Sequence, residues 1–165
     1  MLIDEFLEKY YDNLVKKELN KVVIAPKEMI IDNSEDEDGW IEWKPFEAKT
    51  TISEIKNLEA NYNIDISRQY IDYCMSSQFM DIQIKEYTLY GINELNTLEK
   101  MIITLPKNII SFGFLAIGSI NDEDFLALNK DGQVVRLSYD DYSFVEILFD
   151  NFNSFIDFLF LKIKI

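Results

Sequence analysis

The sequence predicts an α+β fold: a single domain with a mainly antiparallel sheet flanked by helices, carrying an N-terminal helical extension. Three observations predict it. Residues 2–19, "LIDEFLEKYYDNLVKKEL", place apolar side chains at 2, 3, 6, 7, 10, 14, 15 and 19, which is helical spacing. From 109 to 149 the pattern is β, in the runs "IISFGFLAIG", "DFLALN", "QVVRLS" and "SFVEILF". The last run, "NFNSFIDFLFLKI", reads as a helix capped by Asn151 or Asn153, with Phe152, Phe155, Ile156, Leu159 and Ile163 on its inner face. Runs of strands between helices favour one antiparallel sheet over alternating βα units.

Between these ends the elements follow in order. "KVVIAPKEMIID" suits two short strands around Pro26, and "DNSEDEDG" is a loop by composition. "GWIEWKPF" reads as a short strand ended by Pro45. "TTISEIKNLEANY" predicts a helix with Thr51 or Ser53 as N-cap and Ile55, Leu58 and Tyr62 facing inward. A second helix is expected over 67–77 with Ser67 as cap, then one or two strands over 78–92 with Ile82, Ile84, Tyr87 and Leu89 near one face. "NELNTLEKMIITLP" predicts a helix ending at Pro106. Asp131-Gly132 predicts a two-residue hairpin turn with φ > 0 at both positions.

Composition excludes several function classes. There is no histidine among 165 residues, so no Ser-His-Asp triad, Cys-His pair or His-ligated metal can form. Cys74 is the one cysteine, which rules out an intramolecular disulfide, and its helical setting between Tyr73 and Met75 suits a buried, inert thiol. Gly113 and Gly118 match neither G-x-G-x-x-G nor a Walker A loop. "MLIDEFLEKYYDN" has acids where a secretory signal has bases, and "FIDFLFLKIKI" is too short and too charged to span a bilayer. A cytoplasmic location is expected.

A net charge of −14 argues against nucleic acid and anionic membranes as direct ligands, and favours a basic partner. Acidity for solubility alone is the plainer alternative. Residues 28–43 hold seven acids and no base. A calcium loop with Gly39 at its sixth position would put Pro45 where a bidentate Glu belongs. Thirty acids leave room for a carboxylate pair of the glycosidase kind, but no spacing singles one out. Trp40 and Trp43 flank Ile41-Glu42. In a strand their indoles point to opposite faces, which leaves one available to an interface.

The stretch "FGFLAIGSINDEDFLALNKDGQVVRLS" followed by "NFNSFIDFL" resembles the SUKH superfamily, which includes a yeast cell-wall-synthesis regulator and many bacterial immunity proteins. The residues carrying the resemblance are Ile117-Gly118, Asp124-Phe125, Asp131-Gly132-x-Val134 and Ser154-Phe155-Ile156-Asp157-Phe158-Leu159. Upstream, "ISEIKNLEANYNIDISRQYIDYCMSS" is similar to the family's opening helix pair, with Leu58-Glu59 and Tyr70 in its slots. Asp65-Ile66 stands where the family usually has Leu-Pro, and Glu123 where it usually has Gly. The resemblance implies residues 34–165 as the SUKH-like domain and 1–33 as an added helix and extension.

It also implies a non-enzymatic protein whose partner is a cognate protein toxin; the net charge makes a basic toxin the expected one, and the residues present lead to no expected cofactor or metal. The alternative is a regulatory module with an endogenous target. Expected partner-binding residues are Glu35, Asp36, Glu37, Asp38 and Trp40, then Asp122 and Glu123, then Asp140 and Asp141. Gly118, Asp124, Asp131 and Gly132 are expected in structural turns: Gly118 for a backbone bend, Asp124 bonding turn amides.

Overall fold

The computed structural model describes residues 3–163; Leu2, at the edge of the expected first helix, lies outside them. Helix α1 covers Ile3–Lys16 and buries Phe6, Leu7 and Tyr10. A ribbon of β1 (Lys21–Val22) and β2 (Ile41–Glu42) follows, with the acidic loop between. The expected second strand near Pro26 is a 3-10 turn at Lys27–Met29, and Ile30 makes only a bridge to Trp43. The strand stops before Pro45, as expected, and a further short strand, β3 (Phe46–Glu47), follows and pairs with β4 (Ser77–Gln78).

Helix α2 spans Ile52–Tyr62, started by a capping box in which Thr51 and Glu54 satisfy each other's amides. Helix α3, Arg68–Cys74, is capped by Ser67 and stops short of 77 because Ser77 and Gln78 join the β3–β4 pair. Strands β5 (Ile82–Ile84) and β6 (Tyr87–Leu89) form a hairpin. Helix α4 occupies only Leu98–Thr104. Asn93 accepts from the amides of Leu95 and Asn96 and holds the preceding residues in a turn, so the helix waits for its Thr97 cap.

Residues 109–111 are not strand. Helix α5, Lys107–Ser111, starts after Pro106 and closes at Gly113, whose φ is +80°. The β-branched pair Ile109-Ile110 suggests a strand by propensity. Burial of Ile109 against the sheet decides otherwise. Strands β7 (Leu115–Ile120), β8 (Asp124–Leu128), β9 (Val134–Ser138) and β10 (Phe144–Phe149) complete one antiparallel six-stranded sheet in the order β10-β9-β8-β7-β6-β5. Helix α6, Phe152–Ile163, is capped by Asn151, which accepts from the Ser154 amide at 2.9 Å.

The sheet is covered on both faces. One carries the main core, where Ile117, Leu126, Leu128 and Val134 meet α1, α3 and α6. The other carries a smaller cluster of Ala116, Phe125, Ala127, Val135 and Leu137 under Ile109 of α5. Trp43 locks the β1–β2 ribbon onto the main core, its ring 5.4 Å from Tyr11 and 5.1 Å from Phe79.

The turn chemistry differs from expectation in two places. Between β8 and β9 the Gly132 amide donates to Asn129 and the Asn129 amide to Gln133, a three-residue loop in which Gly132 alone of the pair has positive φ. Asp131 stays in ordinary space because Asn129 Oδ1 takes its amide. The consecutive positive φ values fall instead on Asn121 (52°) and Asp122 (58°), where the Glu123 amide closes onto Ile120.

Candidate functional site

Strand register decides which acids meet. Asp124 pairs with Ile120 on one side and Ser138 on the other, so the β7–β8 turn (121–123) and the β9–β10 connection (139–143) lie at one end of the sheet. That end gathers Asp122, Glu123, Asp140 and Asp141, all exposed. Asp122 accepts from Ser119 Oγ at 3.1 Å, which orients it over the turn. Asp141 accepts from Ser143, side chain and then backbone, and from Ser138. These bonds favour its charged form and lower its pKa. Glu123 and Asp140 project from the same end.

An apolar surface adjoins these acids. Tyr139, 57% exposed, stacks on Phe125 with ring centroids 5.0 Å apart. Phe144 and Ile147 lie opposite Leu137 and Val135, hence on the smaller core's face, and remain 52% and 48% exposed. They sit on β10, the outermost strand, whose register is broken twice. Such bulges limit unwanted edge pairing without removing the apolar side chains. On the other face Arg136 is held between Asp124 (3.5 Å) and Glu146 (3.2 Å) on the two neighbouring strands. Asp124 therefore serves an ion pair across strands and not the turn amides. The patch keeps its negative sign.

The 35–38 loop stands on the β1–β2 ribbon. Asp36 is turned inward: its Oδ1 accepts from the amides of Trp40 (2.9 Å) and Asp38 (3.1 Å), and Lys21 Nζ lies 3.4 Å from Oδ2. The Trp40 amide contributes most to holding Asp36 below the usual carboxylate range. Glu35, Glu37 and Asp38 are exposed, and Trp40 remains 44% exposed while Trp43 is 2% exposed. The nine residues named from sequence thus divide between two supports, the ribbon loop and the sheet end.

Gly118 answers to space and not to a bend. A Cβ there would lie 2.0 Å from the Thr88 carbonyl oxygen on β6, next to the bulge between Ala116 and Gly118. Sequence reading missed Tyr139, Phe144 and Ile147, because "SFVEILF" shows a strand without showing that it is the sheet's edge. Their signal was weak: apolar residues on both faces of a run that closes a meander.

For catalysis the remaining groups offer little. Cys74 is buried, which pushes its thiol well up. Burial raises the pKa of Asp81, whose hydrogen-bond partner is the Gly91 amide at 2.7 Å. Among the described residues no group of three or more His, Cys, Asp or Glu is placed to hold a metal ion, and no helix is long and apolar enough to cross a membrane.

The chain is a single α+β domain whose sheet end carries exposed acids and an exposed tyrosine beside a half-exposed apolar edge strand. The SMI1 / KNR4 family model (SUKH-1) matches residues 49–157, about two thirds of the chain, and the chain belongs to that family. The match takes in α2 through the first half of α6 and begins after the β1–β2 ribbon and β3. No curated protein matches the chain significantly. Proteins of this family are known as non-enzymatic immunity or regulatory proteins.

Proposed function

We propose that this chain is a cytoplasmic, non-enzymatic immunity protein that binds a cognate basic toxin and neutralises it by covering its active site. The observation that carries the reading is the convergence of Asp122, Glu123, Asp140 and Asp141 beside exposed Tyr139, Phe144 and Ile147. An apolar, aromatic centre with a charged rim is the anatomy of a specific protein interface. The acids steer a basic partner, and the rings and aliphatic groups hold it once docked. A nuclease is the toxin class this surface suits best, since its groove is built to attract phosphates. Glu35, Glu37, Asp38 and Trp40 form the second contact, with Asp36 shaping the loop that presents them.

Membership of a family whose proteins include regulatory ones supports a second reading, a regulatory or scaffold module for an endogenous partner. Co-purification of the tagged chain with the polypeptide encoded beside it, at low and at high salt, separates the two. A stoichiometric, salt-weakened complex with a basic, lethal neighbour supports immunity. Absence of any such complex transfers the function to a cellular partner.

A further inference from the structure

A cavity of about 270 Å³ lies where the C-terminal ends of α1 and α6 meet the β5–β6 hairpin. Its walls hold three lysines, Lys17, Lys85 and Lys162, and no carboxylate. None of the three is ion-paired among the described residues, whereas Lys21, Lys49, Lys56, Arg68 and Arg136 all have carboxylate partners. Lys17 and Lys85 are exposed and Lys162 is half-buried, so all three are open to a ligand. Asn13 donates to the Ile163 carbonyl at 3.2 Å and ties the two helix ends together.

Lys85 marks the place in a second way. It holds the first loop position of the two-residue β5–β6 turn with φ of +57°, where glycine is the usual residue. A lysine kept there against backbone strain points to a use for its side chain. The C-termini of α1 and α6 bring roughly half a negative charge each, which three ammonium groups exceed by about two charges. The chain's net charge of −14 acts mainly at long range. Salt screens it beyond about 8 Å, so it slows an anion's approach without cancelling contacts made inside the cavity.

Charge and volume select the anion. A phosphate monoester carries roughly −1.5 to −2 at neutral pH and three terminal oxygens, which suits three ammonium groups better than a carboxylate's single charge does. Lysine binds phosphate as a point charge and needs no fixed fork geometry. The volume falls just below the usual range of small-molecule sites, about 300–1,000 Å³, and leaves room beyond the phosphate. Leu14, Leu19 and Ile84 give that remainder an apolar wall. We infer that this cavity binds a small organic phosphate, its phosphate among Lys17, Lys85 and Lys162 and its organic body on Leu14, Leu19 and Ile84. Phospholipid headgroups share the chemistry, but a hollow between two helix ends and a hairpin fits a soluble molecule and not a flat bilayer. Most of the lining lies outside residues 49–157, so the site is built mainly by elements beyond the family match. It stands apart from the toxin reading, since small probes test it without any partner.

The experiment is heteronuclear NMR on the full chain at neutral pH and fixed ionic strength, following the backbone amides of Leu19 and Lys85. Phenyl phosphate, inorganic phosphate and benzoate are titrated separately. Phenyl phosphate is expected to shift both reporters and to bind at least about threefold more tightly than the other two, which lack the apolar body or the second charge. Lys17→Gln and Lys85→Gln, both at exposed positions, are each expected to weaken it roughly three- to fivefold. Lys107→Gln removes the same charge on α5, away from the cavity lining, and is expected to leave binding unchanged. No shift with phenyl phosphate, equal binding of benzoate, or equal weakening by Lys107→Gln would overturn the proposal. Co-sedimentation with phosphatidylglycerol vesicles in the absence of phenyl phosphate binding would overturn it too, and would assign the lysines to a membrane surface.

Discussion

Gly118 on β7 lies so close to Thr88 on β6 that a methyl group on its Cα would stand 2.0 Å from the Thr88 carbonyl oxygen. The obstacle is backbone, which cannot swing aside as a flexible side chain would. Gly118→Ala must therefore part β6 from β7 in the middle of a sheet packed on both faces, and an overpacking cost of about 2–3 kcal/mol or more is expected. Equilibrium denaturation of the variant measures it. A loss below 1 kcal/mol, on the order of an ordinary surface change, would show that the two strands yield easily.

The two tryptophans separate a core from a surface. Trp43 is packed against Tyr11 and Phe79 and receives the Tyr11 hydroxyl on its carbonyl at 2.8 Å, whereas Trp40 rests on the loop. Trp43→Ala is expected to cost about 3–5 kcal/mol and Trp40→Ala about 0.5 kcal/mol or less. Fluorescence makes the same distinction, because the emission of Trp40 alone should respond to a docked partner. Denaturation midpoints of the two variants lying together would contradict this division.

Acid should loosen the protein through identifiable groups. Asp36, Asp141 and Glu54 all have pKa values lowered in the fold, chiefly by the Trp40 amide, the Ser143 side chain and the Thr51 amide respectively. A carboxyl whose folded pKa lies below its unfolded value contributes stability above the unfolded value. That contribution is lost as pH falls through the folded one, a window below about pH 4. Asp81 runs the other way: desolvation raises its folded pKa, so its charge is a burden at neutral pH that protonation relieves as pH falls. Asp81→Asn, which can still accept the Gly91 amide, is expected to be slightly more stable than the parent at neutral pH. Asp36→Asn should be less stable there and less sensitive to acid. Melting curves across the acid range decide both signs.

What could be read in the sequence was whatever one short segment decides alone. The caps at Thr51 and Ser67 were legible because a side chain three residues from an amide can reach it whatever the rest of the fold does. Helix α5 was not, because Ile109 and Ile110 favour a strand and only burial under the sheet overrides them. Asp131-Gly132 marked a turn, but the loop length was set by the β8–β9 register, and the pair of positive φ values went to Asn121-Asp122. Acids at 122–123 and 140–141 were visible singly, yet their meeting depends on Asp124 lying opposite Ser138. Lys17, Lys85 and Lys162 gave no local signal, since only the assembled fold brings them to one cavity.

The acids of the two supports should differ in what they do for a partner. Changing Glu35, Glu37 and Asp38 together to lysine leaves the Asp36 bonds in place, so the loop keeps its shape and only the field reverses. Binding of a basic partner is expected to weaken at least about tenfold, mostly through slower association at low salt. Asp36→Ala frees two amides and the Lys21 contact, and should weaken binding by disordering the loop, with little salt dependence. Unchanged association in the triple variant would remove this loop from the interface.

The sheet end should behave differently, because its apolar groups act after encounter. Phe144 and Ile147 lie on the edge strand about half exposed, outside both buried clusters. Phe144→Ser and Ile147→Ser are therefore expected to fold with stability within about 0.5 kcal/mol of the parent. Each should speed dissociation of the complex, by roughly tenfold or more where the side chain sits at the buried centre of the contact. Charge reversal of Asp140 and Asp141 at the rim should act mainly on association and fade with added salt. Surface plasmon resonance at two ionic strengths resolves the two effects. If Ile147→Ser and Phe144→Ser leave the dissociation rate unchanged while the acid variants alter association, the partner is captured by charge alone and the exposed edge belongs to some other contact.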